Sequence, residues 1–90
     1  MSLTETIIAY YSQIVNMEKF GEKLHLLRTK HGMTLKELAE AVGLSAHGYI
    51  SELESGKKKP TVEFVIKIAK LYNVTTDQLL RDDVKLNLKG

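Results

Sequence analysis

The segment from residue 45 to residue 59 concentrates side chains that can form hydrogen bonds or carry charge. It contains an imidazole at His47, a hydroxyl at Ser51, a carboxylate at Glu52 and three consecutive lysines at 57–59. Imidazole, hydroxyl and carboxylate groups can exchange hydrogen bonds with the edges of bases, whereas ammonium groups neutralise phosphates. The pattern therefore predicts a polar face with a basic rim, provided that short helices present it.

The element before this segment is predicted to be a short helix that begins after Thr34. The Thr34 hydroxyl can cap the first turn, and Glu37 completes a capping box. Gly43 suits the left-handed residue past the helix end, and Leu44 can fold back onto the helix. An apolar stripe at helical spacing forms the inner face: Leu35, Leu38, Ala39 and Val42.

A second helix is predicted from about Ser45, which restarts the capping pattern, to Glu54. Its inward positions at helical spacing are Ala46, Tyr49, Ile50 and Leu53, and its outward positions are His47, Gly48, Ser51 and Glu52. Two short helices joined by a tight turn are the layout of a helix-turn-helix. The second helix of such a unit can enter a major groove.

The flanking sequence predicts further helices, so we expect an all-α, compact bundle of about five short helices. Residues 18–31 form the first, which Gly32 ends. Its facing side chains are Phe20, Leu24 and Leu27, with the stems of Lys23 and Lys30 on its sides. Pro60 suits the start of a fourth helix whose inner side is Val62, Val65, Ile66, Ala69 and Leu71. Asn73 stops that helix, and Thr76 caps a last one that carries Leu79 and Leu80.

The stretch from about Phe20 to Leu80 resembles the Cro/CI-type (XRE) helix-turn-helix family of phage repressors and bacterial regulators. The pieces that match in order are Leu27-Arg28 before His31-Gly32-Met33-Thr34; Glu37-Leu38-Ala39 with Gly43-Leu44-Ser45; Tyr49-Ile50-Ser51 with Glu54-x-Gly56; and Pro60-Thr61 before Ala69-x-Leu71 and Val74-x-x-Asp77-x-Leu79-Leu80. The resemblance implies a lambda-repressor-like domain over residues 18–81. It also implies a sequence-specific, double-stranded DNA-binding transcriptional regulator, expected to be a repressor.

Carried onto this sequence, the family pattern suggests three groups of site residues. Candidates for reading bases are Ala46, His47, Gly48, Tyr49, Ser51 and Glu52. Candidates for phosphate contact are Thr34, Lys36, Ser45, Lys57, Lys58 and Lys59. In the family, an arginine of the first helix often pairs with a glutamate at the end of the recognition helix. The matching pair here is Arg28 and Glu54, which would fix the tilt of that helix.

Bland alternatives stand beside these roles. The three lysines can form a solvated turn, and His47 can be an ordinary surface histidine. Gly48 can merely accommodate a longer turn instead of allowing close approach to DNA. The body of Tyr49 can pack against the second helix of the bundle, and Arg28 can face a phosphate.

Two departures from the family pattern bear on the base contacts. Many members carry a glutamine directly after the first cap, where this chain has Leu35, so that contact is missing. Between Ser45 and Tyr49 the chain has three residues where commoner members have two. The turn or the first helical turn must therefore be longer, which leaves the base-facing register open by one position.

The two ends of the chain suggest assembly. Residues 1–17 predict an amphipathic helix too apolar to stand in water alone, which either packs on its own bundle or pairs with a second subunit. The tail 82–90 includes the alternating stretch Val84-Lys85-Leu86-Asn87-Leu88, which is typical of a short strand. We expect a homodimer formed through one or both ends. Two-fold symmetry would place the recognition helices about 34 Å apart on a palindromic operator.

The remaining composition narrows the class of protein. The 90 residues suit one small domain of net charge +2, without cysteine. The three histidines lie apart, and no metal, nucleophile or phosphate-loop motif is present, so we expect no enzyme, cofactor or metal site. No apolar run spans a membrane and no secretory signal is evident, which favours a cytoplasmic location. The main alternative function is a protein-binding adaptor or an antitoxin component.

Overall fold

The computed structural model describes residues 18–86. The predicted N-terminal helix within residues 1–17 and the last four residues of the tail lie outside the described residues. The domain boundaries predicted at residues 18 and 81 remain predictions.

The described residues form a bundle of five short helices and no strand, which confirms the expected all-α class. The helices are α1 (Phe20–Lys30), α2 (Leu35–Ala41), α3 (Gly48–Glu54), α4 (Val62–Tyr72) and α5 (Thr76–Leu80). Helices α2 and α3 are the two predicted helices of the helix-turn-helix. Helix α1 packs against α3, and α5 packs against α1 and α4.

Local side-chain caps set the beginning of the two last helices. The Thr61 hydroxyl accepts a hydrogen bond from the backbone N–H of Phe64 at the start of α4. Thr75 forms a capping box with Gln78 at the start of α5, so the cap lies one residue before the predicted Thr76. Asn73 ends α4 in the left-handed conformation, with φ of 54°, and this prediction is confirmed.

The core lies between all five helices, and fourteen hydrophobic residues of the range 18–86 are buried in it. They are Phe20, Leu24, Leu27, Leu38, Ala39, Val42, Ile50, Leu53, Phe64, Val65, Ile68, Tyr72, Leu79 and Leu80. The predicted inner side of α4 was partly wrong, because Ile66 and Leu71 are both 40% exposed. Apolar residues lie on several sides of α4, so the sequence did not define one buried face. The face that is buried contains Phe64 and Tyr72 instead of Ile66 and Leu71.

The described part of the tail, residues 81–86, forms no strand, in contrast to the prediction. Its backbone turns at residues 82–83. The Lys23 ammonium donates hydrogen bonds to the carbonyl oxygens of Arg81 and Val84. These carbonyls therefore bind a side chain of α1 instead of a neighbouring strand.

Candidate nucleic-acid interface

Helix α2 begins in the predicted capping box. The Thr34 hydroxyl accepts from the Glu37 N–H at 3.1 Å, and the Glu37 carboxylate accepts from the Thr34 N–H at 2.9 Å. The hydrogen bond from the Thr34 backbone, together with that of its hydroxyl, lowers the pKa of Glu37. Thr34 and Lys36 are exposed at this end of α2.

The turn after α2 confirms the expected glycine motif. Gly43 has φ of 78°. The Leu44 N–H donates to the Ala39 carbonyl at 2.8 Å, and the Gly43 N–H donates to the Glu40 carbonyl at 3.1 Å. This pair of bonds satisfies carbonyls at the helix end and returns Leu44 to the core, as in a Schellman motif.

Helix α3 begins at Gly48, three residues later than predicted. Its N-cap residue is His47, whose side chain makes no capping hydrogen bond, so the prediction that Ser45 caps this helix was wrong. Ala46, predicted to face inward, is exposed. The physical reason is the extra residue before Tyr49, which the turn absorbs. Ser45, Ala46 and His47 therefore lie on an exposed loop in front of α3.

The seven residues of α3 divide into a buried and an exposed face. Ile50 and Leu53 are buried, whereas Gly48 and Ser51 are exposed. Tyr49 is half-buried, and its ring meets the ring of Phe64 in α4 edge-on, with centroids 5.4 Å apart. Its hydroxyl is buried and has no hydrogen-bond partner among the described residues. Tyr49 therefore presents no exposed hydroxyl at this surface.

The three lysines follow α3 on a loop with a well-defined backbone. Gly56 ends the helix with φ of 82°, and the Glu52 carbonyl accepts from the N–H groups of Lys57 and Lys58 at 2.9 and 3.3 Å. The ammonium of Lys58 lies 3.6 Å from the Glu52 carboxylate. The side chains of all three lysines are exposed. The loop therefore carries three exposed cations directly after α3, one of them already paired with Glu52.

Behind α3, the side chains of Arg28 and Glu54 meet in a bidentate ion pair. The two N···O distances are 2.6 Å from Nε and 3.1 Å from Nη2. The remaining Nη1 donates to the Met33 carbonyl at 2.8 Å, and His25 Nδ1 lies 2.8 Å from Glu54 Oε1. One carboxylate thus joins two residues of α1 to the end of α3, and Arg28 also reaches the loop before α2.

The electrostatics of this pair follow from its partial burial. Both side chains are about one-tenth exposed, at 12% for Arg28 and 11% for Glu54. Burial acts to raise the pKa of Glu54, but the hydrogen bonds from Arg28 and His25 outweigh it and leave the pKa lowered. The hydrogen bond to Glu54 raises the pKa of Arg28. The pair is therefore fully ionised at neutral pH.

Gly21 is a positioning residue that the sequence interpretation missed. A Cβ at this position would lie 2.7 Å from the carbonyl oxygen of Glu54 and closer still to that of Leu53. Only glycine lets the backbones of α1 and α3 approach this closely. An isolated glycine inside a helical pattern was the available signal, because such a residue costs helix stability and usually has a packing reason.

Comparison with known proteins identifies the family of this chain. A protein family described as helix-turn-helix matches residues 24–79. The chain belongs to this helix-turn-helix family. The resemblance expected from the sequence is confirmed, and the matched residues run from the middle of α1 to α5, with the α2–α3 unit between them.

Curated relatives in this family are transcriptional regulators. The chain is 40% identical over 70 residues to the transcriptional activator BcrR of Enterococcus faecalis, covering 78% of this chain and 34% of BcrR. It is 32% identical over 63 residues to the phage CTXphi transcriptional repressor RstR of Vibrio cholerae, covering 70% of this chain and 56% of RstR. The match thus spans between about a third and somewhat more than half of these relatives.

Solved structures of SinR share the fold. The N-terminal DNA-binding domain of SinR from Bacillus subtilis superposes with a TM-score of 0.66 at 28% identity, over 73% of this chain and 96% of that domain. SinR in complex with DNA gives a TM-score of 0.61 at 30% identity, over 67% and 95% of the two chains. A complex of SinR with the protein SinI gives 0.64 at 30% identity, over 70% and 61%.

Residues 18–86 contain neither a cluster of metal ligands nor a membrane-spanning helix. No group of three or more histidine, cysteine, aspartate or glutamate side chains in this range is placed to hold a metal ion. In the same range, no helix has the length and apolar character needed to cross a bilayer. The two relatives described above are both named as regulators of transcription.

Proposed function

We propose that this protein binds double-stranded DNA and regulates transcription, with α3 and the loop before it in the major groove. The observation that carries the proposal is the exposed face of α3, formed by Gly48 and Ser51 and followed along the chain by a loop with three exposed lysines. The family relationship and the fold shared with a protein solved on DNA support it. The exposed loop contributes Ser45, Ala46 and His47, and the helix contributes Gly48 and Ser51.

The side chains that would contact bases lie on the exposed face of α3 and on the loop before it. His47 and Ser51 are exposed and can donate to or accept from base edges. Gly48 leaves room for the DNA. Glu52 is a weaker candidate, because its carboxylate pairs with Lys58. The ring of Tyr49 packs against Phe64, and its buried hydroxyl is not available for a contact with a base.

The residues that would contact phosphates lie on the lysine loop and at the start of α2. Lys57, Lys58 and Lys59 are exposed on the loop after α3, and Thr34 and Lys36 are exposed at the start of α2. Such contacts position a protein on the duplex and make its binding depend on salt, whereas base contacts carry the sequence information. With a net charge of only +2, this local placement matters more than the overall field.

The proposal extends to a cytoplasmic, homodimeric repressor on a palindromic operator, without catalytic activity. RstR supports the repressor role, since it is named as one. The predicted apolar N-terminal segment supports a dimer. Sedimentation at increasing concentration, with and without DNA, tests the dimer, and a monomer under all conditions would contradict it.

The experiment that tests DNA reading is the selection of bound duplexes from a random pool at two salt concentrations. We expect a palindromic consensus and an affinity that falls with salt. Recovery of duplexes without a consensus would contradict sequence-specific reading.

A second candidate function is binding to a protein partner, because SinR has been solved with the protein SinI. In that case the chain would show no affinity for duplexes at low salt and would bind only its partner. The same selection therefore separates the two candidates.

A further inference from the structure

The backbone at the start of α1 is held by a residue from the far end of the domain. The Asp82 carboxylate accepts from the N–H of Glu18 at 3.0 Å and from the N–H of Lys19 at 2.7 Å. Lys19 is the N-cap residue of α1, and its own side chain makes no capping bond. Asp82 therefore supplies acceptors at this helix start across more than sixty positions of sequence.

A second contact runs in the opposite direction. Lys23 is a buried residue, only 6% exposed, and its ammonium donates to the carbonyl of Gln78 at 2.7 Å and to those of Arg81 and Val84. Burial lowers the pKa of Lys23, partly offset by the charge of Asp82. The ammonium thus satisfies carbonyls within α5 and just past its end, and holds residues 81–84 against α1.

These two contacts create a groove between α1 and residues 82–86. Its lining combines the apolar side chains of Leu26, Val84 and Leu86 with five charged residues along its edges: Lys19, Glu22, Lys23, Asp82 and Lys85. Leu26 is 44% exposed, which makes it the most exposed large hydrophobic residue among those described. The groove lies on α1 outside the α2–α3 unit.

The chain carries an apolar segment that is attached at the edge of this groove. Residues 3–16 contain one charged residue, Glu5, and seven large apolar or aromatic ones: Leu3, Ile7, Ile8, Tyr10, Tyr11, Ile14 and Val15. The segment joins the described structure at residue 18, directly before Lys19, which lines the groove. Asp82 fixes this junction through its two hydrogen bonds.

We infer that residues 3–16 of the same chain dock into the groove formed by Leu26, Val84 and Leu86. A tethered segment reaches a nearby surface at a high effective concentration. Contact between its apolar side chains and Leu26, Val84 and Leu86 would remove apolar surface from water on both sides. In a helical conformation the segment has two adjacent apolar stripes. One stripe fills the groove, and the other remains for the contact with a second subunit.

Cysteine cross-linking tests this docking in the full chain. The sequence contains no cysteine, so any disulfide must form between the two introduced cysteines. Leu26→Cys is combined in turn with Ile7→Cys, Ile8→Cys and Ile14→Cys under mild oxidation. We expect at least one pair to form a disulfide within the monomer about tenfold faster than the control, because a disulfide requires Cα atoms about 4.4–6.8 Å apart.

The matched control is Ile66→Cys, combined with the same three partners. Ile66 is 40% exposed, similar to Leu26, but it lies on α4 and does not line the groove. Equal rates for Leu26→Cys and Ile66→Cys would overturn the docking. Cross-links at Leu26→Cys that migrate as dimers would also overturn it, in favour of a second copy as the occupant.

Discussion

The two faces of α3 differ in what surrounds them. On the back, Ile50 and Leu53 are buried, and Glu54 is bound by Arg28 and His25 of α1. On the front, Ser51 and Gly48 are exposed, and a Cβ at Gly48 would meet no atom within 4 Å beyond its chain neighbours and the backbone of its own helix.

The difference separates the requirements of the fold from those of binding. Side chains on the back fix the position of α3 through close contacts, so their replacement should change stability and DNA binding together. Side chains on the front make few contacts within the protein, so their replacement should change DNA binding alone. The following predictions test this separation, beginning with the largest effect.

Glu54→Ala should have the largest effect on stability. It leaves the guanidinium of Arg28 without its carboxylate partner in a site that is about one-tenth exposed. We expect a loss of about 2–3 kcal/mol in the free energy of unfolding, measured by urea denaturation. A variant as stable as the parent would contradict the role assigned to the back of α3.

The same pair predicts an acid dependence. The pKa of Glu54 is lowered in the folded protein, so its contribution is present above the ordinary glutamate pKa of about 4.3. That contribution is lost as the pH falls through the lower pKa of the folded state. Stability should therefore fall less below pH 4 in Glu54→Ala than in the parent.

Gly21→Ala should also weaken the contact between α1 and α3. The added Cβ would strike the backbone carbonyl oxygens of Leu53 and Glu54, which can move only if α3 moves. Overpacking of this kind costs about 1–3 kcal/mol. Urea denaturation and DNA titration should show both lower stability and weaker binding. Loss of stability with unchanged binding would show that the tilt of α3 is not set here.

Lysine variants should weaken DNA binding without altering stability. Lys57→Ala should reduce affinity for all duplexes alike and reduce the slope of log affinity against log salt by about 1. Lys58→Ala should have a smaller effect, because its ammonium is already paired with Glu52 at 3.6 Å. Salt titrations of both variants give the comparison. A larger effect for Lys58→Ala would show that the pair with Glu52 does not persist on DNA.

Gly48→Ala should have the smallest effect on the fold and a distinct effect on binding. The position has an ordinary helical conformation with open space around it, so alanine should stabilise the protein by about 0.5 kcal/mol. If the backbone of α3 approaches the DNA at Gly48, affinity should fall despite the greater stability. Unchanged affinity would assign Gly48 only to the longer turn.

Features that depend on neighbouring residues could be predicted from the sequence. The capping box of Thr34 and Glu37 and the turn at Gly43 involve residues within a few positions of each other. Their hydrogen bonds follow from local conformation. Similarly, the apolar stripe of α2 correctly predicted its buried face.

Most features that depend on distant residues could not; the Arg28–Glu54 pair was predicted only because the family resemblance implied it. The start of α3 moved to Gly48 because the turn absorbed an extra residue, and a capping residue alone does not reveal how a turn accommodates an insertion. The phase of α4 was ambiguous because apolar residues lie on several of its sides. Gly21 and Lys23 acquire their roles only from carbonyl oxygens that lie 32 or more positions away in sequence.

The most direct test of the central claim compares Ser51→Ala with Lys57→Ala on a selected duplex and on a random duplex. Ser51→Ala should lose about fivefold in affinity for the selected duplex and nothing on the random one, as expected for one lost hydrogen bond to a base. Lys57→Ala should lose equally on both. Equal losses of Ser51→Ala on the two duplexes would contradict base reading by the exposed face of α3.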